Sequence, residues 1–281
     1  MNDVSTEVRE VTGTAFIVAE FRARENKEAQ PLYTDHVVPI FLDERTRAAA
    51  DRIKANFPAG EHMPRLRTRY YDDRLGEAIT QGCRQVVILG SGLDTRPVRK
   101  SAPGVAYFEI DDVGTLDLKK ARYAANGIDS PMTLICGNYV ASGVIPLLES
   151  NGFDRSLPSF FIWEGNTMYL TRADVMQVLG DLRESVRRFA IAFDYMDEAV
   201  VSMTTGETGA TGFVERFAAM GAPWTFGFDD LPSLAGEARL SISDHTTVGE
   251  LFRLHWRDRP MQSIIYDHYS LCTLKSDSAK A

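Results

Sequence analysis

Two glycines at the end of an apolar run could bring the backbone of this chain close to a ligand. Gly90 and Gly92 follow the run Gln85–Leu89 in the stretch QVVILGSGLDTR. Glycine has no side chain and adopts positive φ readily, so such a turn lets a ligand approach the main chain. In a parallel α/β sheet the turn after the first strand lies at the carboxyl edge, where ligands bind. The turn is therefore a candidate binding site.

The residues after this turn disfavour a dinucleotide as the ligand. A dinucleotide fingerprint needs a third glycine five residues after the first, and here Thr95 occupies that position. Asp94 would also place a negative charge close to a diphosphate. The turn suits a cofactor that carries adenosine without phosphates, and S-adenosylmethionine (SAM) is such a cofactor. The alternative is a plain strand-to-helix turn without a ligand.

Two carboxylates end further apolar runs at the same predicted edge. Asp111 lies 19 residues beyond Gly92, close to the spacing at which an acidic side chain binds the hydroxyl groups of a ribose. Its alternative role is an ordinary strand-end acid that faces water. Glu164 follows the run FFIW, and burying its charge without a partner would be costly. That partner is either the methionine ammonium of SAM or an arginine of the RTR motif, Arg67 or Arg69.

The elements that must position these residues alternate between strands and helices. Apolar strand patterns separated by helical patterns predict an α/β fold with a doubly wound, mostly parallel sheet. We expect residues 1–84 to form an N-terminal helical cap and residues 85–281 to form the cofactor-binding core, within a single globular unit. A lid is predicted at about residues 197–236. The predicted strands are QVVILG, Val105–Asp111, Met132–Gly137, Pro158–Gly165, RFAIAFDYM, Ala238–Ser243 and Gln262–Lys275.

The bulk composition argues against several classes of partner. The formal net charge is -8, whereas a nucleic-acid-binding surface is basic. No apolar run approaches the roughly 20 residues of a membrane-spanning helix, and we expect no membrane partner. The three cysteines have no metal-binding spacing, so we expect no metal and no disulfide framework. A reducing cytoplasm is the expected location, and the oligomeric state is left open.

Four motifs in this order resemble the leucine carboxyl methyltransferase family: RTRYYDD, VVILGSGLDTR, YFEIDD and WEGNTMYL. The resemblance covers about residues 65–195. The family includes protein-phosphatase carboxyl methyltransferases and bacterial polyketide carboxyl methyltransferases of the tetracenomycin type. The resemblance implies the Rossmann-like class I fold of SAM-dependent methyltransferases and transfer of a methyl group to an oxygen, often that of a carboxylate.

The resemblance also implies roles for individual residues. Arg67, or alternatively Arg69, would hold the methionine carboxylate of SAM, and Glu164 would lie near its amino group or the transferred methyl. Gly90 and Gly92 would pass beneath the methionine, and Asp111 would bind the ribose. Family members commonly carry an acid after the third strand, near the adenine, but the stretch here is LICGNYV. Asn138 is then the residue expected to accept a hydrogen bond from the adenine amino group.

Three residues are candidates for a catalytic role: Tyr169, Tyr195 and His245. Tyr169 and Tyr195 follow the ends of the fourth and fifth strands and could face the acceptor, or could be core aromatics. His245 could reach the cleft as a base, or could lie on the surface. Because none is a convincing base, we favour a carboxylate acceptor, which is already ionised at pH 7, over a phenol. A phenol or hydroxyl acceptor, and a SAM-binding scaffold without catalysis, are the alternatives.

Aromatic and apolar residues in the predicted lid indicate the kind of acceptor. Pockets for small molecules are mostly apolar and aromatic, so a flat or apolar small-molecule acceptor such as a secondary-metabolite acid would fit. A protein C-terminus would be harder to admit past a closed lid. Core packing is the alternative explanation for the cluster, whose members are Phe213, Phe217, Met220, Trp224, Phe226 and Phe228.

Overall fold

Seven strands form one sheet in the computed structural model, which describes residues 11–129, 132–219 and 221–276, without the side chains of residues 11 and 12. They are β1 (Gln85–Leu89), β2 (Ala106–Asp111), β3 (Met132–Cys136), β4 (Ser159–Trp163), β5 (Phe189–Met196), β6 (Ser241–Thr247) and β7 (Tyr269–Lys275). The order across the sheet is β3-β2-β1-β4-β5-β7-β6. Strands β1 to β5 are parallel, and β7 is antiparallel to both β5 and β6. The strand order reverses beside β1, the point where such sheets bind ligands.

Helices cover both faces of this sheet. Those on the N-terminal side are α1 (Val11–Glu25), α2 (Glu44–Asn56) and α3 (Ala59–Thr80). Those that follow are α4 (Arg96–Arg99), α5 (Val113–Ala125), α6 (Val144–Glu149), α7 (Arg172–Ser185), α8 (Glu198–Val201), α9 (Thr208–Ala219), α10 (Leu231–Glu237) and α11 (Val248–His255). Short 3-10 turns occur at Val38–Phe41, Thr167–Tyr169 and Ile264–Tyr266. Among the described helices, none is both long and apolar enough to cross a membrane.

Alternating side chains on the central strands build two separate cores. Val86 and Ile88 of β1 pack with the N-terminal helices on one face of the sheet. Val87 and Leu89 pack with α6, α7 and α10 on the other face. Because neighbouring side chains of a strand point to opposite faces, a strand buried on both sides is apolar throughout, as the sequence of β1 is. The predicted doubly wound, mostly parallel α/β fold is confirmed.

The local predictions hold best where the sequence carries a capping or turn signal. The N-terminus of α7 has the predicted capping box, in which Thr171 N donates to Asp174 Oδ2 at 2.9 Å and Asp174 N donates to Thr171 Oγ1 at 3.2 Å. The prediction of a strand at Ala238–Ser243 is wrong in its start, because Ala238 caps α10 and Arg239 adopts a φ of +55°. Strand β6 begins only at Ser241. The division at residue 84 and the lid role of residues 197–236 stay predictions.

Candidate functional site

A deep pocket opens at the carboxyl edge of the sheet, beside β1. Its walls come from α1, α2, α3, the glycine turn after β1, the ends of β2 and β4, helix α9 and the start of β7. The space free of protein atoms is about 1320 Å³, including the open mouth. Small-molecule sites commonly measure about 300–1,000 Å³. The pocket therefore has room for more than one small ligand.

The glycine turn forms the floor of this pocket. Gly90 has a φ of +60° and Gly92 a φ of +48°, in the left-handed region that favours glycine. A Cβ atom on Gly90 would lie 2.3 Å from Oδ1 of Asn166. The Asn166 side chain is held there because its Nδ2 donates to the carbonyl of Glu164 at 2.7 Å and of Leu89 at 3.2 Å. Asn166 thus joins the ends of β1 and β4 and requires glycine at position 90.

Asp111 faces this turn from the end of β2. Its Oδ2 accepts from the Gly92 N–H at 2.6 Å, and its Oδ1 accepts from the Asp112 N–H at 2.7 Å. Burial raises the pKa of Asp111 to about 6, although both backbone donors oppose the shift. A carboxylate has about four acceptor sites, so hydrogen-bonding capacity is left for a ligand. Asp111 lines the pocket, as the sequence predicted.

Asp94 also lines the pocket, but its charge is balanced within the protein. Its carboxylate accepts from the Arg96 backbone N–H at 2.7 Å and forms a short ion pair with the Arg96 guanidinium. Burial alone would raise the pKa of Asp94, but the nearby cations Arg96, Arg22 and Lys119 together lower it to about 2. Asp94 is therefore an ionised, paired group of the turn.

Glu164 lies between two arginines in the middle of the pocket. Its Oε1 accepts from Arg67 Nε at 2.9 Å, and its Oε2 accepts from Arg96 Nη1 at 2.7 Å. Burial would raise the pKa of Glu164, but the guanidinium groups of Arg96 and Arg67 lower it. Glu164 thus has the arginine partner that the sequence offered as one alternative. It still lines the pocket together with Arg67.

Asp194 of β5, which the sequence reasoning missed, fixes the other side of Arg67. Its carboxylate is fully buried and accepts from Tyr71 Oη at 2.7 Å, from Gly165 N at 2.6 Å and, in a short bond, from Tyr269 Oη. Arg67 Nη1 donates to Tyr269 Oη at 2.7 Å and lies 3.5 Å from Asp194 Oδ2. Burial raises the pKa of Asp194 despite the nearby Arg67. The signal in the sequence was an acid inside the apolar run FAIAFDYM.

The far half of the pocket is apolar and aromatic. Phe213, Phe217 and Trp224 line it from the region after β5, and Tyr169 lines it from the turn after β4. The ring centroids of Phe213 and Phe217 are 4.8 Å apart, and those of Phe217 and Trp224 are 5.4 Å apart. Burial raises the pKa of Tyr169, so its hydroxyl stays protonated at neutral pH.

The predicted aromatic cluster is divided between the two faces of the sheet. Phe226 packs into the core formed with α6 and α7. Phe228 stacks on Tyr195, with ring centroids 3.9 Å apart. Met220 lies outside the described residues. Half of the predicted cluster therefore lines the pocket, and Phe226 and Phe228 contribute to packing elsewhere.

Tyr195 and His245 do not lie in the pocket, which corrects the expectation that they face the acceptor. They pair with each other, Oη and Nε2 being 3.1 Å apart, and Tyr195 packs in the core on the opposite face of the sheet. The reason is strand alternation: Asp194 points to the pocket side, so its neighbour Tyr195 points away. His245 is exposed on the edge strand β6.

Asn138 and Arg69 also lie outside the pocket lining. Asn138 is exposed, and its Oδ1 accepts from the N–H groups of Val140 at 3.0 Å and Ala141 at 3.1 Å, which stabilises the turn after β3. Arg69 donates to Asp73 Oδ2 at 2.8 Å, on the outer side of α3. The structure thus brings together Arg67, Gly90, Gly92, Asp111, Glu164 and Tyr169 of the predicted site residues.

Solved structures with the same fold are distant in sequence. A DUF574 family protein from Streptomyces avermitilis has a TM-score of 0.61 and 13% identity, over 94% of this chain and 97% of its own. The magnesium protoporphyrin IX methyltransferase of Synechocystis, solved with bound S-adenosylhomocysteine (SAH), has a TM-score of 0.50 and 10% identity, over 98% of this chain and 100% of its own. These similarities show the class I methyltransferase fold.

Sequence relatives are closer but cover only part of each chain. A Mycobacterium tuberculosis protein, provisionally named an S-adenosyl-L-methionine-dependent methyltransferase, is 34% identical over 183 residues, which are 60% of this chain and 55% of that protein. A Mycobacterium bovis protein with the same provisional name is 33% identical over 184 residues, 60% of this chain and 59% of its own. The match thus spans little more than half of the relatives' length.

The family assignment rests on a match to a family model over more than half of the chain. Residues 15–183 match the leucine carboxyl methyltransferase family. This range begins inside α1, includes α3, the glycine turn, Asp111 and Glu164, and ends inside α7. The chain belongs to the leucine carboxyl methyltransferase family.

Proposed function

We propose that the pocket binds SAM and that the chain transfers the methyl group to a carboxylate of a small organic acid, of the kind found in secondary metabolism. The relatives' provisional names support SAM dependence, and so does the SAH bound to the Synechocystis methyltransferase. Because those relatives are matched over little more than half their length, the activity is proposed on the chemistry of the pocket as well.

The polar half of the pocket fits a phosphate-free adenosine cofactor. Asp111 has acceptor capacity for the ribose hydroxyls, and the glycine turn leaves open backbone beside it. Ser91, between the two glycines, lines the pocket, and its buried Oγ has no hydrogen-bond partner within the described part of the chain. A buried hydroxyl without a partner is costly, and a ligand with polar groups would remove that cost.

Arg67 and Glu164 suit the methionine end of SAM. This end carries one carboxylate and one ammonium, and the pair offers one cation and one anion at the pocket wall. The described hydrogen bonds of Arg67 use Nε and Nη1, so Nη2 is the atom we assign to the ligand carboxylate. Bound SAM would supply an electrophilic methyl group on a sulfonium.

The acceptor half supports an acceptor that is already an anion. None of the five histidines, all within the described residues, lines the pocket. Tyr169 and Tyr269 line it, but burial raises the pKa of both phenols, which makes them hydrogen-bond donors. A carboxylate needs no base, only alignment with the methyl carbon and sulfur, and such positioning supplies much of the rate acceleration. The absence of a histidine among the described lining residues, where Asp94 and Glu164 are paired with arginines and Asp111 is assigned to the ribose, is the observation that carries the proposed carboxylate.

This proposal can be tested by determining whether the methylated product is an ester or an ether. Purified protein would be incubated with methyl-tritiated SAM and a panel of apolar carboxylic acids, matched with the corresponding alcohols and phenols. We expect base-labile radioactivity that is released as methanol, because methyl esters hydrolyse in mild alkali and ethers do not. Base-stable product on a phenol would replace the carboxylate with a hydroxyl acceptor. Binding of SAH without any product would favour a catalytically silent SAM-binding scaffold.

A further inference from the structure

Phe213 lines the apolar half of the pocket. It lies on α9, and its side chain is 7% exposed. Its ring contacts two other wall residues, with centroids 4.8 Å from Phe217 and 5.9 Å from Trp224. Behind it lies Phe57, which does not line the pocket, at a centroid distance of 4.8 Å. One face of the Phe213 ring is thus supported from behind.

Glycines hold Phe213 in this position by letting helices approach closely. A Cβ atom on Gly60, in the first turn of α3, would lie 3.1 Å from Cε2 of Phe213 and 3.0 Å from Cγ2 of Ile53. A Cβ atom on Gly209, in the first turn of α9, would lie 3.2 Å from Cε2 of Phe57. No methyl group fits at either place without displacing a neighbour. The ring of Phe213 is therefore packed closely against Gly60 of α3 and against Phe57, which limits the room behind it.

The aromatic partners of the Phe213 ring, Phe57, Phe217 and Trp224, carry no charge. The charged residues Asp94, Asp111 and Glu164 line the pocket at the carboxyl edge of the sheet, and Arg67 pairs with Glu164. Gly60, which lies beside the Phe213 ring, is also uncharged. Burying a second charge there would be costly without a partner. The part of the acceptor that reaches Phe213 should therefore be uncharged and apolar.

We propose that Phe213 is the end wall of the acceptor site and limits the length of the acids that this protein accepts. Phe217 and Trp224 form side walls, and Gly60 sets how far the end wall stands from the opening. This inference rests on the proposed carboxylate acceptor, but it concerns different residues from those assigned to SAM. It makes Phe213 a specificity-determining residue with a defined direction of effect.

The test is a length series of ligands measured by binding. ω-Phenylalkanoic acids, from phenylacetic to phenyloctanoic acid, would be titrated by calorimetry into protein saturated with SAH. For the wild type we expect affinity to rise with chain length and then to fall sharply. One methylene group in an apolar pocket changes recognition by roughly tenfold or more. Phe213→Ala should move the fall to longer acids, and Gly60→Ala, which pushes Phe213 into the pocket, should move it to shorter ones.

A matched control distinguishes a specific effect of Phe213 on ligand length from a general loss of packing. Phe226→Ala removes a ring of similar burial from the same region, but this ring packs on the opposite face of the sheet. It should leave the length limit at the wild-type value, and all three variants should bind SAH like the wild type. Phe213→Leu replaces Phe213→Ala if the latter does not fold, with a smaller shift in the same direction.

The outcomes distinguish this inference from the proposed function. If Phe213→Ala and Gly60→Ala change affinity by the same factor at every chain length of the acid, Phe213 is not the end wall of the acceptor site. If the wild-type complex with SAH binds no acid of the series, the proposal that Phe213 limits acid length is also wrong. If the lengths shift as expected but the best-bound acid is not esterified in the presence of SAM, the wall stands and the proposed methyl-ester chemistry is wrong.

Discussion

The two halves of the pocket are built in opposite ways. In the half beside β1, nearly every polar group is already paired: Asp111 with backbone N–H groups, Glu164 with Arg67 and Arg96. In the half beside α9, aromatic rings pack on one another, and the Phe213 wall is held by glycines. The first half can fix one polar ligand in one orientation. The second can exclude water and select a ligand by shape.

This difference allows one half of the pocket to recognise a fixed cofactor while the other half sets which acceptor is bound. Directional hydrogen bonds and ion pairs recognise the same polar groups every time, and changing one of them leaves its partner unpaired at a high cost. Apolar contacts have no direction, so exchanging one ring for another changes size preference at a small cost. We therefore expect variants of the polar half to weaken the binding of the cofactor strongly, and variants of the aromatic half to change which acceptors bind.

The largest effect should follow from Arg67→Ala. Removing one member of a buried, hydrogen-bonded charge pair costs about 2–5 kcal/mol in binding, so affinity for SAH should fall by more than about thirtyfold. Arg69→Ala is the matched control, because this neighbouring arginine pairs with Asp73 outside the pocket. Calorimetry on both variants, with melting temperatures to confirm folding, makes the comparison. Equal losses in the two variants would show that Arg67 has no special place at the ligand.

A smaller loss is expected for Asp111→Asn. The amide keeps one acceptor oxygen but removes the charge, and hydrogen bonds to charged groups contribute about 1.5–3 kcal/mol. Affinity for SAH should fall about tenfold or somewhat more. The comparison of SAH with its 2′-deoxyribose analogue sharpens the test, because the wild type should discriminate between them and the variant should not. Discrimination that survives in Asp111→Asn would place the ribose elsewhere.

The charge on Asp111 also predicts a pH dependence. Hydroxyl groups of a ribose donate to the ionised carboxylate, so binding favours ionisation, and the free protein has a pKa of about 6 at this site. Affinity for SAH should be constant above about pH 7 and should decrease as the pH falls through 6. The stability of the free protein should change with pH in the opposite direction. The pKa of Asp111 is higher in the folded than in the unfolded protein, so ionising Asp111 lowers the free energy of unfolding at neutral pH. Asp111→Asn should remove the decrease in affinity.

The polar half was largely predictable from the sequence, because its residues belong to short motifs. Gly90, Gly92, Asp111 and Glu164 each follow an apolar run, and the carboxyl ends of parallel strands meet at one edge whatever the details of packing. The unpredicted part required knowing which face of a strand meets the pocket. On β5, Asp194 and Tyr195 are adjacent, and the sequence alone favoured the wrong one.

The aromatic half depends on contacts between segments that are distant in the chain. Phe213 takes its position from α2, α3 and Phe57, and these helices meet at Gly60 and Gly209. No local pattern predicts that two helices approach so closely at glycines. The aromatic cluster itself was visible in the sequence, but the division that sends Phe226 and Phe228 to the other face was not.

The smallest effect should follow from Trp224→Leu. This ring lies on a side wall and is only partly buried, so replacing it with the smaller leucine removes only part of an apolar contact surface of the pocket. We expect KM for the acceptor acid to rise by a few-fold, with affinity for SAH unchanged. Steady-state kinetics at saturating SAM would measure the first value and calorimetry the second. A change in SAH affinity as large as that of Asp111→Asn would contradict the division of the pocket into two halves.

A calorimetric titration of the wild-type protein with SAH, with NADH titrated in parallel, would show whether the polar half of the pocket binds a phosphate-free adenosine cofactor. We expect saturable binding of one SAH per chain with a dissociation constant in the micromolar range, and no saturable binding of NADH, because Thr95 stands where a dinucleotide-binding turn needs its third glycine. Saturable binding of NADH without binding of SAH would contradict the account, because the glycine turn and Asp111 would then serve a dinucleotide.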